Sequence, residues 1–156
     1  MDLFLGQHTS SLDSQSRCAL SVEFRTILLG GDSRQGTNVV AFALPGPCIA
    51  IAHQNEFESI VQALSTADDR VSRASRLFFF AHADRTRCDP QGRVRLAPFH
   101  LTRIGVQAAQ KGDLIVVGAG RYLTVWSAAG WQKFEARLDD DQIDAIERVL
   151  TPSPNP

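Results

Sequence analysis

The sequence holds only two lysines, Lys111 and Lys133, among 16 basic residues, and its net charge is −1. A near-neutral chain offers no global attraction to a polyanion, so any nucleic-acid contact has to come from a local cluster of charge. Cysteine is almost as scarce: Cys18, Cys48 and Cys88 are odd in number and have no CxxC spacing. That argues against a disulfide framework or a zinc site and for reduced, partly buried thiols. No apolar run approaches the roughly 20 residues of a membrane span. The N-terminus lacks the charged-then-apolar layout of a signal peptide, so the sequence predicts a cytoplasmic protein without a membrane partner. Catalytic signatures are missing as well: no GxSxG, no HExxH, no Walker A loop and no spaced set of metal ligands. His8, His53, His82 and His100 stand singly, and Gly118-Ala119-Gly120 lacks the further glycine and helix of a phosphate cradle. Nothing here argues for an enzyme, a cofactor, a metal or a small-molecule substrate.

What is present suits one compact domain or two small, closely packed halves: 156 residues, 44% hydrophobic and 21% charged. A chain of this size buries roughly 70% of the surface its unfolded form exposes, so a core forms without covalent staples. The charge is unevenly spread. Residues 1–75 carry five arginines and no lysine against eight acids, whereas residues 76–156 carry eleven basic residues against nine acids. Within 85–103 lie Arg85, Arg87, Arg93, Arg95 and Arg103 against the single acid Asp89. Because salt screens fields beyond about 10 Å, this cluster matters more for anion binding than the average does.

The chain also repeats itself. A shift of 76 lays Asp13 on Asp89, Arg17 on Arg93 and Leu20 on Leu96. A shift of 74 lays Ile49 on Leu123, Ile51 on Val125, Phe57 on Trp131, Ile60 on Phe134 and Leu64 on Leu138. Each copy reads as turn, strand, hairpin and helix. "LFLGQH" and "RCALS" are short β-prone runs around a serine-rich stretch. "RTRC" and "RVRL" flank "DPQG", which has the Asp, Pro and Gly of a type I turn. "NVVAFAL" and "CIAIA" flank Pro45-Gly46-Pro47, and "LIVV" and "RYLTVW" flank Gly118-Ala119-Gly120. Asn55 with Glu58 predicts a capping box for a helix striped by Phe57, Ile60, Val61 and Leu64. Ser127 is placed to cap its counterpart, striped by Trp131, Phe134 and Leu138. Asp139-Asp140-Asp141 predicts the start of a last helix with Ile143, Ile146, Val149 and Leu150 on one face. "LFFFAHA" is compatible with a buried strand or a helix face. The halves are drawn at 1–66 (core 6–53) and 76–150 (core 82–127), with a disordered tail over 151–156.

"GQHTSSLDSQSR", "RLFFFAHADRTRCDPQGRVRL" and "LIVVGAGRYLTVWSAAGW", spanning roughly residues 3–138, together resemble the MraZ family. Those proteins are bacterial regulators built from two SpoVT-AbrB-type halves, each with a D-x-x-x-R signature. The resemblance implies a mainly β fold with flanking helices, in which tandem swapped-hairpin halves form a small pseudo-symmetric β-barrel. It also implies ring-like homo-oligomers, association with the nucleoid, and binding of double-stranded DNA at repeated elements upstream of division and cell-wall genes, its own promoter included, as a repressor. Residue by residue, the signature falls on Asp13 with Arg17 and on Asp89 with Arg93. Gln15-Ser16 and Gln91-Gly92 stand where the family commonly has Lys-Gly, Ser21 stands in place of a proline, and in the second copy that proline is displaced to Pro98.

Physically, an Asp opening a turn accepts bonds from the N–H groups ahead of it, and the Arg four positions on presents a planar fork. Such a fork either braces the Asp or grips a phosphate or guanine edge. Asp13 and Asp89 are therefore expected to brace the turns, and Arg17, Arg93, Arg95 and Arg87 to contact DNA. Arg95, two positions from Arg93 on one strand face, is assigned to phosphate. The altered first turn is expected to be the weaker contact. Two other readings stay open: a degenerate paralogue acting as a ring-forming scaffold without DNA, and a small enzyme using Cys18 or Cys88 with a nearby histidine.

Overall fold

Two strands that are apolar on both faces have to sit between two layers. Strands β3 (Thr37–Ala43) and β4 (Cys48–His53), joined through Pro45-Gly46-Pro47, are of this kind. Val39, Ala41 and Ala43 face one core, while Val40 and Phe42 face another. The computed structural model describes residues 2–31, 34–107 and 113–151. Around this central hairpin run β1 (Gln7–Ser11), β2 (Arg17–Ala19), β5 (Asp84–Cys88), β6 (Arg93–Arg95), β7 (Asp113–Gly118) and β8 (Leu123–Ser127). All pairings are antiparallel, in the order β1-β7-β8-β4-β3-β5-β6-β2. A bridge between Leu12 and Cys18 joins the two ends of that order, so the sheet curls nearly into a closed barrel. That bridge is the first-half counterpart of the Cys88–Val94 pair between β5 and β6.

The pairing crosses the repeat. Strand β1 binds β7 and β3 binds β5, each between the first and the second half, while β2 meets β6 and β4 meets β8 as like with like. A pseudo-two-fold relation follows, and each half covers strand edges the other would leave open. Helices α1 (Val22–Leu29) and α4 (Pro98–Ile104) plug the barrel, burying Phe24, Leu28, Leu101 and Ile104 among Leu12, Ile49, Ile51, Leu114 and Val125. Helices α2 (Gln54–Ser65) and α3 (Arg73–Ala81) cover the outer face of β3 and β4, where Phe42 lies 5.5 Å from both Phe57 and Phe79. Helix α5 (Ala128–Arg137) packs Trp131 edge-on and Phe134 at a tilt against Trp126, and α6 (Asp140–Leu150) follows it.

The swapped barrel with flanking helices is the architecture expected from the sequence. Ser127 caps α5, and Asp139 caps α6 in a capping box with Gln142. The "DPQG" turn closes with Gly92 N–H donating to Asp89 O at 2.9 Å. Other details differ. Helix α2 begins two residues earlier than predicted because β4 runs to His53, whose Nδ1 accepts from Asn55 N–H at 3.1 Å and takes the cap. Glu58 is therefore not part of a capping box and accepts from Gln54 instead. "LFFFAHA" is helical over most of its length. The run "LFLGQH" mostly precedes β1, since Gly6 turns at φ 82° and Phe4 makes only a bridge to Gly120. Helices α1 and α4 were not expected: they are short, and their signals are a lone Ser21 cap and Pro98 at the first helical turn. From Pro152 on, the tail expected to be disordered lies outside the described residues.

His100 sits in this frame with no solvent exposure. Its Nε2 donates to His82 O at 2.6 Å, and its Nδ1 is buried without a partner. Burial holds the imidazole below its ordinary 6.5, with Arg103 and His82 pushing the same way against the His82 carbonyl and Asp84. Stability from the neutral ring is then complete above 6.5 and is lost as pH falls below it, because the unfolded chain takes up the proton first. Thermal unfolding followed from pH 8 to pH 5 should show a falling melting temperature, with a shallower fall in His100→Leu.

Candidate nucleic-acid interface

The two D-x-x-x-R turns have almost superimposable chemistry. In the first, Asp13 Oδ1 accepts from the backbone N–H of Gln15 and of Arg17, both at 2.9 Å, and Oδ2 accepts from Arg17 Nε at 2.7 Å. In the second, Asp89 Oδ1 accepts from Gln91 N–H at 3.0 Å and Arg93 N–H at 2.9 Å, and Oδ2 from Arg93 Nε at 2.7 Å. Each turn is clamped across its base by the Asp N–H donating to the Arg carbonyl at 3.0 Å. Desolvation pushes both carboxyls up, but the bonds from their own Arg N–H and guanidinium outweigh it, and both end below the ordinary 3.8. The braces are therefore charged at neutral pH.

Antiparallel pairing of β2 with β6 puts these turns side by side, although 76 positions separate them in sequence. Arg17 lies opposite Arg95, Cys18 opposite Val94 and Ala19 opposite Arg93. Leu20 N–H donates to Gly92 O at 2.8 Å, and Leu96 N–H donates to Ser16 O at 2.9 Å, so each turn is tied to the strand leaving the other. Arg95 Nη2 reaches Gln15 Oε1 at 3.4 Å, and Arg17 Nη1 lies 3.9 Å from Asp89 Oδ2. In Arg17 and Arg93 the short bond uses Nε, which leaves the outer nitrogens with only longer contacts. The Arg93 side chain is 38% exposed and that of Arg17 is 24% exposed. Arg93 and Arg95 share a face, with Val94 buried between them.

Arg87 behaves differently. Its Nη1 donates to Asn38 Oδ1 at 2.8 Å and its Nη2 to Gln35 O at 2.6 Å, so its guanidinium is turned to the start of β3 and the residues just before it. A residue that sequence reasoning missed takes a place at the second turn. Arg25, one helical turn after the Ser21 cap, donates from Nη1 to Gln91 O at 3.2 Å. Its stem packs on Gly92 so closely that a Cβ there would lie 2.7 Å from Arg25 Cδ and 3.1 Å from its Cβ. Residue 101 occupies the equivalent position in the second half and is a buried leucine, so the first turn lacks this support. The only sequence signal was an arginine where the repeat has a leucine.

The cysteines are poor candidates for nucleophiles. Cys18, Cys48 and Cys88 are all buried, and burial pushes their thiols up to about 11, about 11 and about 12. Cys18 has Ser10 Oγ beside it at 3.8 Å. Among the described residues no three His, Cys, Asp or Glu side chains are grouped to hold a metal.

Backbone strain separates the two turns. Gly92 at φ 81° is at ease in the left-handed region, whereas Ser16 at φ 60° is the one positive-φ residue other than glycine among the described residues. Ser16→Gly should raise unfolding free energy by about 1 kcal/mol. Gly92→Ala should lower it by more than that, since the new Cβ is both strained and blocked by Arg25. Urea unfolding of the two variants checks the opposite signs.

The comparisons with known proteins agree with one another. The family model described as "MraZ protein, putative antitoxin-like" matches residues 79–151. The transcriptional regulator MraZ of Salinispora arenicola is 34% identical over 150 residues, covering 95% of this chain and 98% of its own. That of Salinispora tropica is 33% identical with the same coverage, and that of Thermobifida fusca is 30% identical over 95% of this chain and 97% of its own.

Proposed function

The chain belongs to the MraZ family, and from that membership and the paired turns we propose that it is a transcription regulator that binds double-stranded DNA through the β2–β6 face. The observation that carries this reading is the convergence of Arg17, Arg25, Arg93 and Arg95 on two abutting turns that hold only two carboxylates, Asp13 and Asp89. The braces fix the arginine stems before any ligand arrives, so little side-chain entropy is left to lose on binding. Each fork keeps its outer nitrogens for a phosphate or a guanine edge. Arg93 is the primary contact, Arg95 a phosphate contact, and Arg17 a weaker partner on the strained turn. Arg87 contributes by ordering the segment before β3.

The targets proposed are repeated elements upstream of division and cell-wall genes, including the chain's own promoter, with repression as the outcome. The chain works as a ring-like homo-oligomer associated with the nucleoid, without a cofactor or small-molecule substrate. Repetition of the turn pair around a ring multiplies modest single contacts through effective concentration. No helix among the described residues is long and apolar enough to cross a membrane. A scaffold role without DNA is the competing reading, favoured by the left-handed Ser16 and the more enclosed Arg17.

Salt titration separates the two. For wild type, log affinity should fall linearly with log salt by roughly 0.9 per phosphate neutralised. Arg95→Ala should flatten that slope by about one unit per binding turn and weaken all sequences alike. Arg93→Ala should lose more affinity than Arg17→Ala, with about 1–3 kcal/mol lost on the target if it reads a base. A wild-type affinity unchanged between low and moderate salt would leave the scaffold reading in first place.

A further inference from the structure

Helix α1 belongs to the first half, yet its Arg25 reaches the turn of the second. Arg25 Nη1 donates to Gln91 O at 3.2 Å, and Asp89 Oδ1 takes the N–H of the same residue at 3.0 Å. Gln91 is therefore held on both sides. The Arg25 stem closes over the next residue: a Cβ on Gly92 would lie 2.7 Å from Arg25 Cδ, 3.0 Å from its Cγ and 3.1 Å from its Cβ. Only glycine lets an aliphatic stem lie so close to the backbone of the turn. Leu20, which leaves β2 just ahead of α1, adds its N–H to Gly92 O at 2.8 Å.

The helix that carries Arg25 is itself anchored. Ser21 Oγ accepts from Phe24 N–H at 3.2 Å, and Ser21 N–H donates to His8 Nε2 on β1, also at 3.2 Å. Phe24 is buried, edge-on to Phe4 at 5.7 Å and to His8 at 5.0 Å. Arg25 is the next residue, so the second turn rests on a strut seated in the barrel core. The first turn has no such strut. Asp13 takes the N–H of Gln15 and Leu96 N–H bonds Ser16 O, as in the second turn. The polar side chains of α4, however, bond elsewhere: His100 to His82 O, Thr102 to Pro98 O and Arg103 to Leu44 O. The counterpart of Arg25 is Leu101, buried in the core.

We propose that Arg25 is a positioning residue for DNA recognition: it holds the Gln91–Gly92 corner so that the Asp89–Arg93 pair meets DNA in one orientation, and it does so for the second turn alone. This rests on the DNA binding proposed above for the β2–β6 face. The Asp89 brace fixes Arg93 only relative to its own turn. Strands β5 and β6 pair solely through Cys88 and Val94. Among the described residues, the hydrogen bonds that tie the Gln91–Gly92 tip to the rest of the chain are those of Leu20 and Arg25. Tying the tip to α1 removes its motion before a ligand arrives, which lowers the entropy lost on binding. The two halves are thereby unequal: Arg93 is aimed by the fold, and Arg17 by its own Asp13.

The test compares the full chain with Arg25→Leu, which copies the second half, and with Arg25→Lys, which keeps the stem and a donor. Without DNA, hydrogen exchange read by NMR should show the Nε–H of Arg93 exchanging about tenfold faster in Arg25→Leu, the scale of one lost hydrogen bond to a charged group. The Nε–H of Arg17 should be unchanged, and Arg25→Lys should stay close to wild type. A general loss of stability would speed both arginines alike and overturn the positioning role, as would equal exchange of Arg93 in wild type and Arg25→Leu. On DNA from just upstream of the chain's own gene, Arg25→Leu should bind about tenfold more weakly. In an Arg93→Ala background the same change should cost less than about twofold, because Arg25 acts through that turn. A direct DNA contact by Arg25 would instead persist in that background and take about one unit from the salt slope, which also overturns positioning. Wild type with no preference over scrambled DNA would overturn the DNA-binding reading and the proposal with it. Wild-type preference together with any of the contrary results would overturn the proposal alone.

Discussion

A single carboxylate accepting three N–H bonds from its own turn is the interaction on which the proposed DNA-binding face depends. Asp13 and Asp89 each satisfy two backbone donors and one guanidinium donor within five residues. The bonds to charged acceptors are stronger than neutral ones and fix the turn and the arginine together. An unbraced Arg on a surface loop loses rotamer freedom on binding, whereas these two have already lost it in folding. Brace and ligand compete for the same side chain in principle. Here the geometry divides the fork, with Nε inward and the outer nitrogens left over.

That local device would give two separate sites if the halves folded side by side. They do not, because the first strand of each half pairs with the third strand of the other and the barrel closes around both. Pairing β2 with β6 then becomes the way the short second strands are satisfied, and it brings Arg17 opposite Arg95. The barrel core does the positioning. Cys18 and Val94 sit at the centre of the β2–β6 pair with no exposure, anchored against Leu12, Cys88, Phe24 and Leu101. A change that loosens this core would shift both turns at once.

Much of this was legible in the residues. The D-x-x-x-R repeat, the hairpins at Pro45-Gly46-Pro47 and Gly118-Ala119-Gly120, and the caps at Ser127 and Asp139 are local, and local chemistry wrote them. The swapped barrel was reached through family resemblance, because pairing between strands far apart in the chain leaves no mark on either strand alone. Helices α1 and α4 escaped notice because a helix of seven or eight residues offers two turns of periodicity and is held by the barrel interior it fills. Arg25 escaped for a related reason: its value lies in touching Gly92 and Gln91, 66 residues away from it. Arg87 stood in a basic cluster on paper, yet long-range pairing turned it to Asn38 and Gln35.

As proposed, the two braced turns form one surface that reads DNA. The most direct test of this is the affinity of wild type and of Arg17→Ala with Arg93→Ala for DNA from just upstream of the chain's own gene, against a scrambled control. The wild type should prefer the upstream DNA, and the double variant, with its fold unchanged by circular dichroism, should lose that preference. Equal binding of both DNAs by wild type, or a preference undiminished in the double variant, would contradict the claim.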